Sequence, residues 1–355
     1  MKKRILKLAG ILLMIGCMAG CGSQEPEEDI ALIMEPSQEG YMTGAIAEAA
    51  QQYADDNGLK IETHEVANNT ADDYMVSIQE AAEGGASVII GYGENFEEPL
   101  FTMQKKYKKI KFLILDGSPR KEQGKKSKVR KNTKAVLYNE AQAGFLAGYA
   151  AVMDGYRSLG FLGGEKQSNI AYYGSGFVQG AEYAAGELQL SPDEVTIRYD
   201  YLETNEISPS VMARASQWYE EGCELIFTSG GSIPTAVIKA AEQENGKVIA
   251  SDVVQTSEKQ VVVSTAVKNV NDTVYNTLGS VFGDSFEGGE EVKMDLSNDG
   301  VGLSMDRSVF QNFTADQYNA IVTKIVDGEA EVQEEYVSTV NGEEDGITHL
   351  TLNFE

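Results

Sequence analysis

The chain has 355 residues, of which 42% are hydrophobic, and it carries a formal net charge of −26. Its length exceeds that of one ordinary domain, so we expect two domains, each with a hydrophobic core. A chain this acidic repels the phosphate backbone, which excludes nucleic acid as an expected partner.

The first residues have the pattern of a bacterial export leader. A basic start at 1–4 precedes an apolar run, Ile5 to Gly16, that is too short to span a membrane. Residues 18–21, Met-Ala-Gly-Cys, resemble a lipobox, in which Cys21 is lipidated and becomes the mature N-terminus. Cys17 ends a weaker version of this pattern, and secretion with simple cleavage is the alternative. We predict a signal peptide at 1–20, an acidic linker at 21–29, and an extracytoplasmic protein anchored to the cell membrane by its lipid.

From residue 30 onward, strand and helix patterns alternate. Short apolar runs rich in β-branched residues are separated by stretches of helical spacing, which is typical of βαβ units and a parallel sheet. The predicted strands lie at 30–34, 59–66, 87–90, 111–115 and 135–137, and then at 159–162, 195–199, 225–227, 248–250 and 260–264. Because the alternation restarts after residue 153, we predict an α/β fold of two doubly wound, Rossmann-like lobes with a ligand cleft between them. We assign 30–140 and about 265–295 to lobe 1, and 155–262 and about 300–355 to lobe 2.

The segment Lys247 to Lys268 places a polar residue at the exit of each of two buried strands. Asp252 follows the first run, and Lys268 comes shortly after the second. Ligands of open α/β sheets bind at the carboxyl ends of strands, so this pair is a candidate for ligand binding. A buried structural salt bridge or a solvated pair is the alternative interpretation.

Residues suited to catalysis are sparse. The chain contains two histidines, and its first strand lacks the glycine spacing of dinucleotide or Walker loops. The pairs Gly163-Gly164 and Gly230-Gly231 follow strands, either as turns that approach a ligand or as ordinary tight turns. Asp116 and Asp252 are a candidate acid–base pair, but nothing beside them supplies a nucleophile or a metal. We therefore predict a binding protein, with no enzymatic activity, no cofactor and no metal.

One segment is basic although the chain as a whole is strongly acidic. Removing the four basic residues of the leader leaves 25 basic against 55 acidic residues, a net charge of −30. The segment Lys105 to Lys134 nevertheless contains 11 Lys and 2 Arg. It is either a solvated basic loop or a patch for lipid headgroups or a partner protein.

Several sequence blocks occur in an order that resembles a known family. They are Asn139 to Ala151, Leu159 to Gly164, Gly176 to Ala181, Trp218 to Gly222, Ile226 to Gly231 and the segment Lys247 to Lys268. Together they are similar to the BMP (basic membrane protein) family, the substrate-binding lipoproteins of ABC importers that carry nucleosides. The resemblance extends over about Ile30 to Val326, and it implies a type I periplasmic-binding-protein fold with three crossovers between the lobes.

The resemblance also implies a ligand, with a purine nucleoside preferred. Its base would be held by aromatic stacking and its ribose by carboxylates. Asp116 matches the aspartate that closes the family's fourth strand. Asp252 matches the first aspartate of the family's G-V-D-x-D-Q segment, and Lys268 matches the lysine that comes after the following strand. The candidate ligand-binding residues are Tyr41, Asn95, Asp116, Phe177, Gly230, Asp252 and Lys268. Phe177 is alternatively a helix-packing residue, and Tyr201 and Phe96 are candidates for a second stacking ring.

This sequence departs from the family pattern at two places near the expected ligand. The first loop, 36–43, lacks the family's aspartates, and Val254 replaces the second acid of the G-V-D-x-D-Q segment. The expected partners are an ABC permease and its ATPase, with the binding protein itself a monomer. A sugar or other small ligand on the same fold, a ligand-sensing lipoprotein and a nucleoside hydrolase are the alternatives.

Overall fold

The computed structural model describes residues 28–35, 41–252, 257, 259–339 and 346–355. The predicted leader, Cys21, the loop 36–40, Val254 and the side chain of Tyr41 lie outside the described residues. The end of the predicted linker belongs to the folded part, because Glu28 is buried against His64 and Asp29 accepts a hydrogen bond from Lys60 N at 2.9 Å. Among the described residues, no helix is long and apolar enough to cross a membrane.

Strands and helices alternate along most of the chain. In order they are β1 (Ile30–Met34), α1 (Tyr41–Asn57), β2 (Ile61–Glu65), α2 (Ala71–Gly84), β3 (Val88–Tyr92), α3 (Glu97–Lys106), β4 (Lys111–Leu115), β5 (Thr133–Tyr138), α4 (Glu140–Asp154), β6 (Ser158–Gly163), α5 (Ser168–Glu187), β7 (Thr196–Tyr201), α6 (Pro209–Glu220), β8 (Leu225–Ser229), α7 (Ile233–Glu244), β9 (Lys247–Asp252), β10 (Val262–Lys268), α8 (Val270–Phe282), β11 (Glu291–Met294), β12 (Val301–Leu303), α9 (Ala315–Val326), α10 (Tyr336–Thr339) and β13 (Thr351–Phe354).

These strands form two sheets, one in each lobe. The lobe 1 sheet has the order β11-β5-β4-β3-β1-β2 and is parallel throughout. The lobe 2 sheet has the order β12-β10-β9-β8-β6-β7-β13, and β12 runs antiparallel to β10. The prediction of an α/β fold with two doubly wound lobes is confirmed.

The described chain passes between the lobes three times, after β5, after β10 and between β11 and β12. One lobe boundary differs from the sequence assignment. Residues 265–268, which we assigned to lobe 1, are part of β10 and pair with β9, with Thr265 opposite Ala250 and Val267 opposite Asp252. The strand therefore continues to Lys268, and the crossing to lobe 1 follows it.

Helix α4 begins at the first of these crossings and packs closely against α5. Its glycines allow the contact, because a Cβ on Gly144 would lie 2.2 Å from Tyr173 O. Gly176 of α5 makes the reciprocal approach, since a Cβ there would lie 2.0 Å from Ala141 O. The start of α4 is capped by the Asn139 side chain, which accepts a hydrogen bond from Gln142 N at 3.4 Å. This packing fixes the first turn of α4, and with it Glu140, against lobe 2.

Candidate functional site

Two adjoining cavities lie between the carboxyl ends of the two sheets. The larger, of about 310 Å³, reaches Asp116 and Glu140, and the smaller, of about 250 Å³, reaches Asp252. Side chains of both lobes line each cavity, and those common to both are Glu35, Tyr92, Asn95, Gln167 and Asn169. Open α/β sheets bind their ligands at this location, and the volumes suit a small molecule.

At the floor of the cleft, one buried ammonium is surrounded by three carboxylates. Lys268 Nζ lies 2.5 Å from Asp116 Oδ2, 2.8 Å from Glu140 Oε1 and 3.7 Å from Asp252 Oδ1. The Lys268 side chain has 0% exposure. We call these four residues the floor cluster. Because they come from the ends of β4, β9 and β10 and the start of α4, the cluster joins the two lobes.

The backbone places both aspartates at the cleft edge of their sheets. Asp116 follows β4 with a φ of 52°, and Asp252 ends β9 with a φ of 80°. Aspartate enters this left-handed region more readily than most side chains. A strand that ends in such a turn presents its last side chain at the edge of the sheet, where the cavities lie.

The two aspartates differ in their remaining contacts. Asp252 Oδ1 accepts a hydrogen bond from Tyr173 OH at 3.2 Å, and Asp252 Oδ2 accepts one from Ser251 Oγ at 2.9 Å. The Asp252 side chain keeps 16% exposure. Asp116 Oδ1 is buried and has no hydrogen-bond partner among the described residues. Since a buried acceptor without a donor is costly, this oxygen suits a ligand that brings a donor.

Burial and charge set the protonation of the floor cluster. Burial alone would lower the pKa of the Lys268 ammonium, but the carboxylates of Asp116 and Glu140 outweigh it and hold the pKa well above its ordinary value. Burial raises the pKa of Glu140 to about 8, against the lowering effect of Lys268, and it also raises the pKa of Asp252. One cation thus faces three carboxyl groups, of which Glu140, with its pKa of about 8, carries a proton over much of the neutral range. The cluster is suited to a ligand that donates N–H or O–H groups rather than to an anion.

Aromatic rings and side-chain amides line the cavities above the floor. Tyr92 lines both cavities, Tyr138 and Tyr172 line the larger one, and burial raises the pKa of Tyr92 well above its ordinary value. The amides that line them belong to Asn69, Asn95, Gln123, Gln167, Asn169 and Asn205. An amide both donates and accepts hydrogen bonds, and a ring offers a π face, so together they suit a planar polar ligand.

At the mouth of the larger cavity, exposed polar contacts join the two lobes. Lys293 Nζ on β11 lies 2.5 Å from Glu334 Oε1, a pair that we call the mouth pair. At α5 the backbone Ser168 N donates to Glu94 Oε1 at 3.4 Å. Near this mouth, burial raises the pKa of Glu97 to about 7, although Ser118 N and Arg120 act against it.

The structure brings four of the predicted site residues to the cleft. Asn95, Asp116 and Asp252 line the cavities, and Asn95 Nδ2 donates to Glu35 Oε1 at 2.9 Å. Lys268 lines neither cavity, because its ammonium is enclosed by the carboxylates. The lysine therefore contacts the acids that line the cleft and does not itself face either cavity.

The aromatic expectations require correction. Phe177 is fully buried in α5, with its ring centroid 5.1 Å from that of Phe227, so it is a packing residue and not a ligand contact. Phe96 is fully buried beneath Gly91, and Tyr201 packs against Phe161 with ring centroids 5.8 Å apart. Neither ring lines either cavity. Helical or strand spacing identifies a buried aromatic but does not say whether it meets a core or a cleft.

Gly230 shapes the site without lining it. Its φ is 117°, and a Cβ there would lie 2.9 Å from Gly164 N, so two turns meet at this point. The neighbouring Gly231 lines the smaller cavity. Gly164, Gly230 and Gly231 thus lie where the turns of lobe 2 approach each other beside the cleft, whereas a Cβ on Gly163 would lie 2.9 Å from the Tyr201 ring.

Among the lining residues that sequence reasoning missed, two are central to the site. Glu140 is the third carboxylate of the floor cluster, and Tyr92 is the ring that both cavities share. Glu140 had a detectable signal, since it is the single charged residue of α4 before Asp154. Tyr92 had one as well, because it stands between Gly91 and Gly93 at the exit of β3. Among the described residues, no group of three His, Cys, Asp or Glu side chains is placed to hold a metal ion.

Comparisons with known proteins agree on the class of this cleft. The Bmp family model, described as ABC transporter substrate-binding protein PnrA-like, matches residues 41–336. The chain is 24% identical to the "ABC transporter nucleoside-binding protein BmpA" of Lactococcus lactis, over 94% of this chain and 99% of that protein. It is also 24% identical to "Basic membrane protein D" of Borreliella burgdorferi, over 88% of this chain and 89% of that protein.

Solved structures show the same fold. An ABC transporter solute-binding protein from Aeropyrum pernix aligns with a TM-score of 0.68 and 18% identity, over 87% of this chain and 88% of that one. One from Conexibacter woesei aligns with the same TM-score and 17% identity, over 87% of this chain and 99% of that one. At these identities the likeness concerns the fold alone. Since the family model covers most of the sequence, the chain belongs to the Bmp family of PnrA-like substrate-binding proteins of ABC transporters.

Proposed function

We propose that this substrate-binding protein binds a nucleoside, with a purine preferred, in the cleft between its lobes and delivers it to the permease of an ABC importer. The observation that carries the proposal is the pair of aspartates at the cleft floor, Asp116 from lobe 1 and Asp252 from lobe 2, on either side of Lys268. The relative from Lactococcus lactis is named as a nucleoside-binding protein, which supports the ligand class.

The ribose is assigned to the aspartates. Its hydroxyl groups are donors, and hydrogen bonds from hydroxyls to carboxylates are among the stronger ones in proteins. Asp116 Oδ1 is a buried acceptor that needs a donor, and Asp252 is the more exposed of the two. Lys268 is proposed to hold both aspartate side chains in place through its ion pairs, so it serves ribose binding as a positioning residue.

The base is assigned to the space above the floor. Tyr92 offers a ring that lines both cavities, and the surrounding amides donate and accept hydrogen bonds. A purine has a π face and a mixed edge of donors and acceptors, which matches this lining. The cleft's carboxylates also disfavour a phosphate group, so nucleosides are expected to bind in preference to nucleotides.

Cys21 is proposed to carry the lipid that holds the protein outside the cytoplasmic membrane. The support is the leader pattern that ends in Met-Ala-Gly-Cys, together with the family's role in ABC transport. Mass spectrometry of the protein extracted from its native membrane tests this directly. A diacylglyceryl adduct on a chain beginning at Cys21 is expected, and a water-soluble chain without the adduct contradicts the anchor.

A thermal-shift screen with the purified mature protein tests the ligand. A ligand at a hundred times its dissociation constant adds about 2.7 kcal/mol to the free energy of unfolding, which raises Tm by several degrees. Purine and pyrimidine nucleosides, free bases, ribose and other sugars form the panel. Stabilisation by sugars without any shift from nucleosides would overturn the nucleoside assignment in favour of the sugar-binding alternative.

The hydrolase alternative needs a separate measurement. In the floor cluster both aspartates lie within 4 Å of a buried ammonium, an arrangement that suits binding more than proton transfer. A nucleoside incubated with the protein for many hours is therefore expected to be recovered intact by chromatography. Release of free base in proportion to protein concentration would instead support hydrolysis.

A further inference from the structure

One end of lobe 1 carries a concentrated basic surface. Two stretches, 105–111 and 128–134, together contain eight Lys and one Arg and neither Asp nor Glu. Asn132 Nδ2 joins them by donating to Tyr107 O and to Ile110 O, each at 3.1 Å. Gln104 Nε2 adds a bond to Lys128 O at 2.9 Å. These contacts fix the two stretches side by side, and we call them the basic edge.

The cations of the basic edge have no carboxylate partner in the part of the chain that the structure describes. None of the nine forms an ion pair with the residues that the structure describes. The exposed ones are Lys105, Lys106, Lys108, Lys109, Lys128 and Lys131. Nine unpaired cations repel one another, so the arrangement is suited to an anionic surface outside the molecule.

The basic edge lies beside the point where the folded chain begins. In the lobe 1 sheet, Ile30 of β1 is opposite Val88 of β3, and Val88 is opposite Lys111 of β4. Adjacent strands are about 4.8 Å apart, so Lys111 lies about 10 Å from the first residue of β1. The six residues from 22 to 27, which precede the folded Glu28, span at most about 21 Å. A lipid on Cys21 would therefore keep this end of lobe 1 within reach of the membrane surface.

We propose that the basic edge binds the headgroups of anionic phospholipids in the membrane that anchors the protein. The position of the tether rests on the proposed lipidation of Cys21, whereas the surface itself rests on the described lysines. An anionic protein partner is the competing occupant. The membrane is favoured because the tether emerges at this end of the lobe, and the parallel strands of lobe 1 begin there.

The strong negative charge of the whole chain does not oppose this contact. Charges further away than about 8 Å are largely screened at physiological ionic strength, so the residues nearest the membrane dominate its electrostatic interaction with the protein. Carboxylates flank the basic edge at Asp29, before β1, at Glu287 and Glu290, before β11, and at Asp55 and Asp56, at the end of α1. These acids confine the contact to the part of lobe 1 around the end of α3. Docked this way, the carboxyl ends of the strands and the cleft face away from the lipid, which leaves the cleft open to solvent.

Vesicle sedimentation with the mature chain made without its lipid, as Cys21→Ser, tests the proposal. This chain keeps every residue that the structure describes, and its binding does not depend on a nucleoside. It is expected to sediment at low salt with vesicles that contain both phosphatidylcholine and phosphatidylglycerol, and to dissociate from them as the salt concentration rises. It is not expected to bind vesicles of pure phosphatidylcholine. Absence of binding to the anionic vesicles at low salt would overturn the proposal.

A pair of matched triple variants locates the surface. Lys105→Ala, Lys108→Ala and Lys109→Ala remove three charges from the basic edge, and affinity for the anionic vesicles should fall about a hundredfold. Lys121→Ala, Lys125→Ala and Lys126→Ala remove the same charge from the exposed loop beyond β4, and affinity should stay within about threefold. Equal losses in both variants would refute the assignment to the basic edge.

Two further readouts separate this proposal from its competitor and from the proposed function. If the first triple variant keeps its vesicle affinity but loses contact with the permease in phosphatidylcholine proteoliposomes, the surface serves a protein partner and the lipid proposal fails. Both variants should keep cooperative melting and the nucleoside-induced shift of the parent. If the first variant does not fold, the same positions are replaced by Gln and the vesicle comparison decides.

Discussion

Two lysine–carboxylate pairs in the cleft have the same separation and opposite surroundings. At the floor, Lys268 Nζ lies 2.5 Å from Asp116 Oδ2, and at the mouth, Lys293 Nζ lies 2.5 Å from Glu334 Oε1. The Lys268 side chain is fully buried, whereas Lys293 is 52% and Glu334 40% exposed. From distance alone, the two pairs would be expected to contribute equally to stability. Their burial makes the contributions different. Water and salt screen the mouth pair, whereas the buried charges of the floor cluster are compensated only by one another.

The largest effect is expected from Lys268→Met. The substitution removes the one cation from three buried carboxylates, and breaking a buried pair in this way costs about 3–5 kcal/mol. Urea unfolding at neutral pH measures the loss. Protonation of the carboxylates relieves part of it, so the deficit should shrink as the pH is lowered towards 5.

Lys293→Met is the matched control for that experiment, since it makes the same chemical change at the mouth pair. If both substitutions lower the free energy of unfolding equally, the contrast between floor and mouth is wrong.

Asp252→Asn is expected to affect binding more than stability. Asparagine has nearly the same shape as aspartate and tolerates the positive φ of this position. It replaces the charged acceptor of the ligand's hydrogen bond by a neutral amide, and a hydrogen bond to a charged group contributes about 1.5–3 kcal/mol. Nucleoside affinity measured by calorimetry should fall about ten- to a hundredfold, with Tm nearly unchanged. Asp299→Asn is the control, because Asp299 is exposed and has a similar φ of 56°. Unchanged affinity in Asp252→Asn would remove this residue from the proposed site.

A third effect follows from the pKa of Glu140, which burial raises to about 8 from an ordinary value of 4.5. In this range the folded state binds a proton that the unfolded state has released. The contribution to stability is therefore present in full below 4.5 and is lost as the pH rises towards about 8. Unfolding free energies measured across this window should decline with pH in the parent and decline less in Glu140→Gln. Glu98→Gln, an exposed position at the start of α3, should leave the slope as it is. A slope unchanged by Glu140→Gln would show that another group, such as Glu97, dominates.

The contrast between floor and mouth also marks the limit of sequence reasoning. Asp252 and Lys268 were predicted because each follows a buried strand, and the carboxyl ends of parallel strands meet at one edge of the sheet. Asp116 was predicted at the ligand because it matches the aspartate that closes the family's fourth strand. Glu140 was not predicted, because it is the first residue of a helix. Its contact with Lys268 depends on the close packing of α4 against α5, which glycines allow.

The same limit explains the remaining differences from the sequence predictions. Phe177 was predicted at the ligand from the family resemblance, with helix packing as the alternative. It is fully buried, and a single sequence does not say which face of α5 meets the core. Strand β13 has no local partner, since Thr351 pairs with Thr196 on β7, far away in the chain. Strand-end chemistry is therefore readable from local patterns, whereas helix faces and long-range pairings require the packed structure.

The smallest effect is expected at the mouth. Lys293 and Glu334 belong to different lobes, since β11 lies at the edge of the lobe 1 sheet and the Gln333 carbonyl accepts a hydrogen bond from Gln179 of α5. Exposed pairs contribute about 0–1 kcal/mol, so Lys293→Met should change the free energy of unfolding by less than that and nucleoside affinity by a few fold at most. The change in affinity should vanish at high salt, where the parent pair is already screened. A loss that persists at high salt would mean that Lys293 contacts the ligand itself, and the mouth would then be part of the binding site rather than its closure.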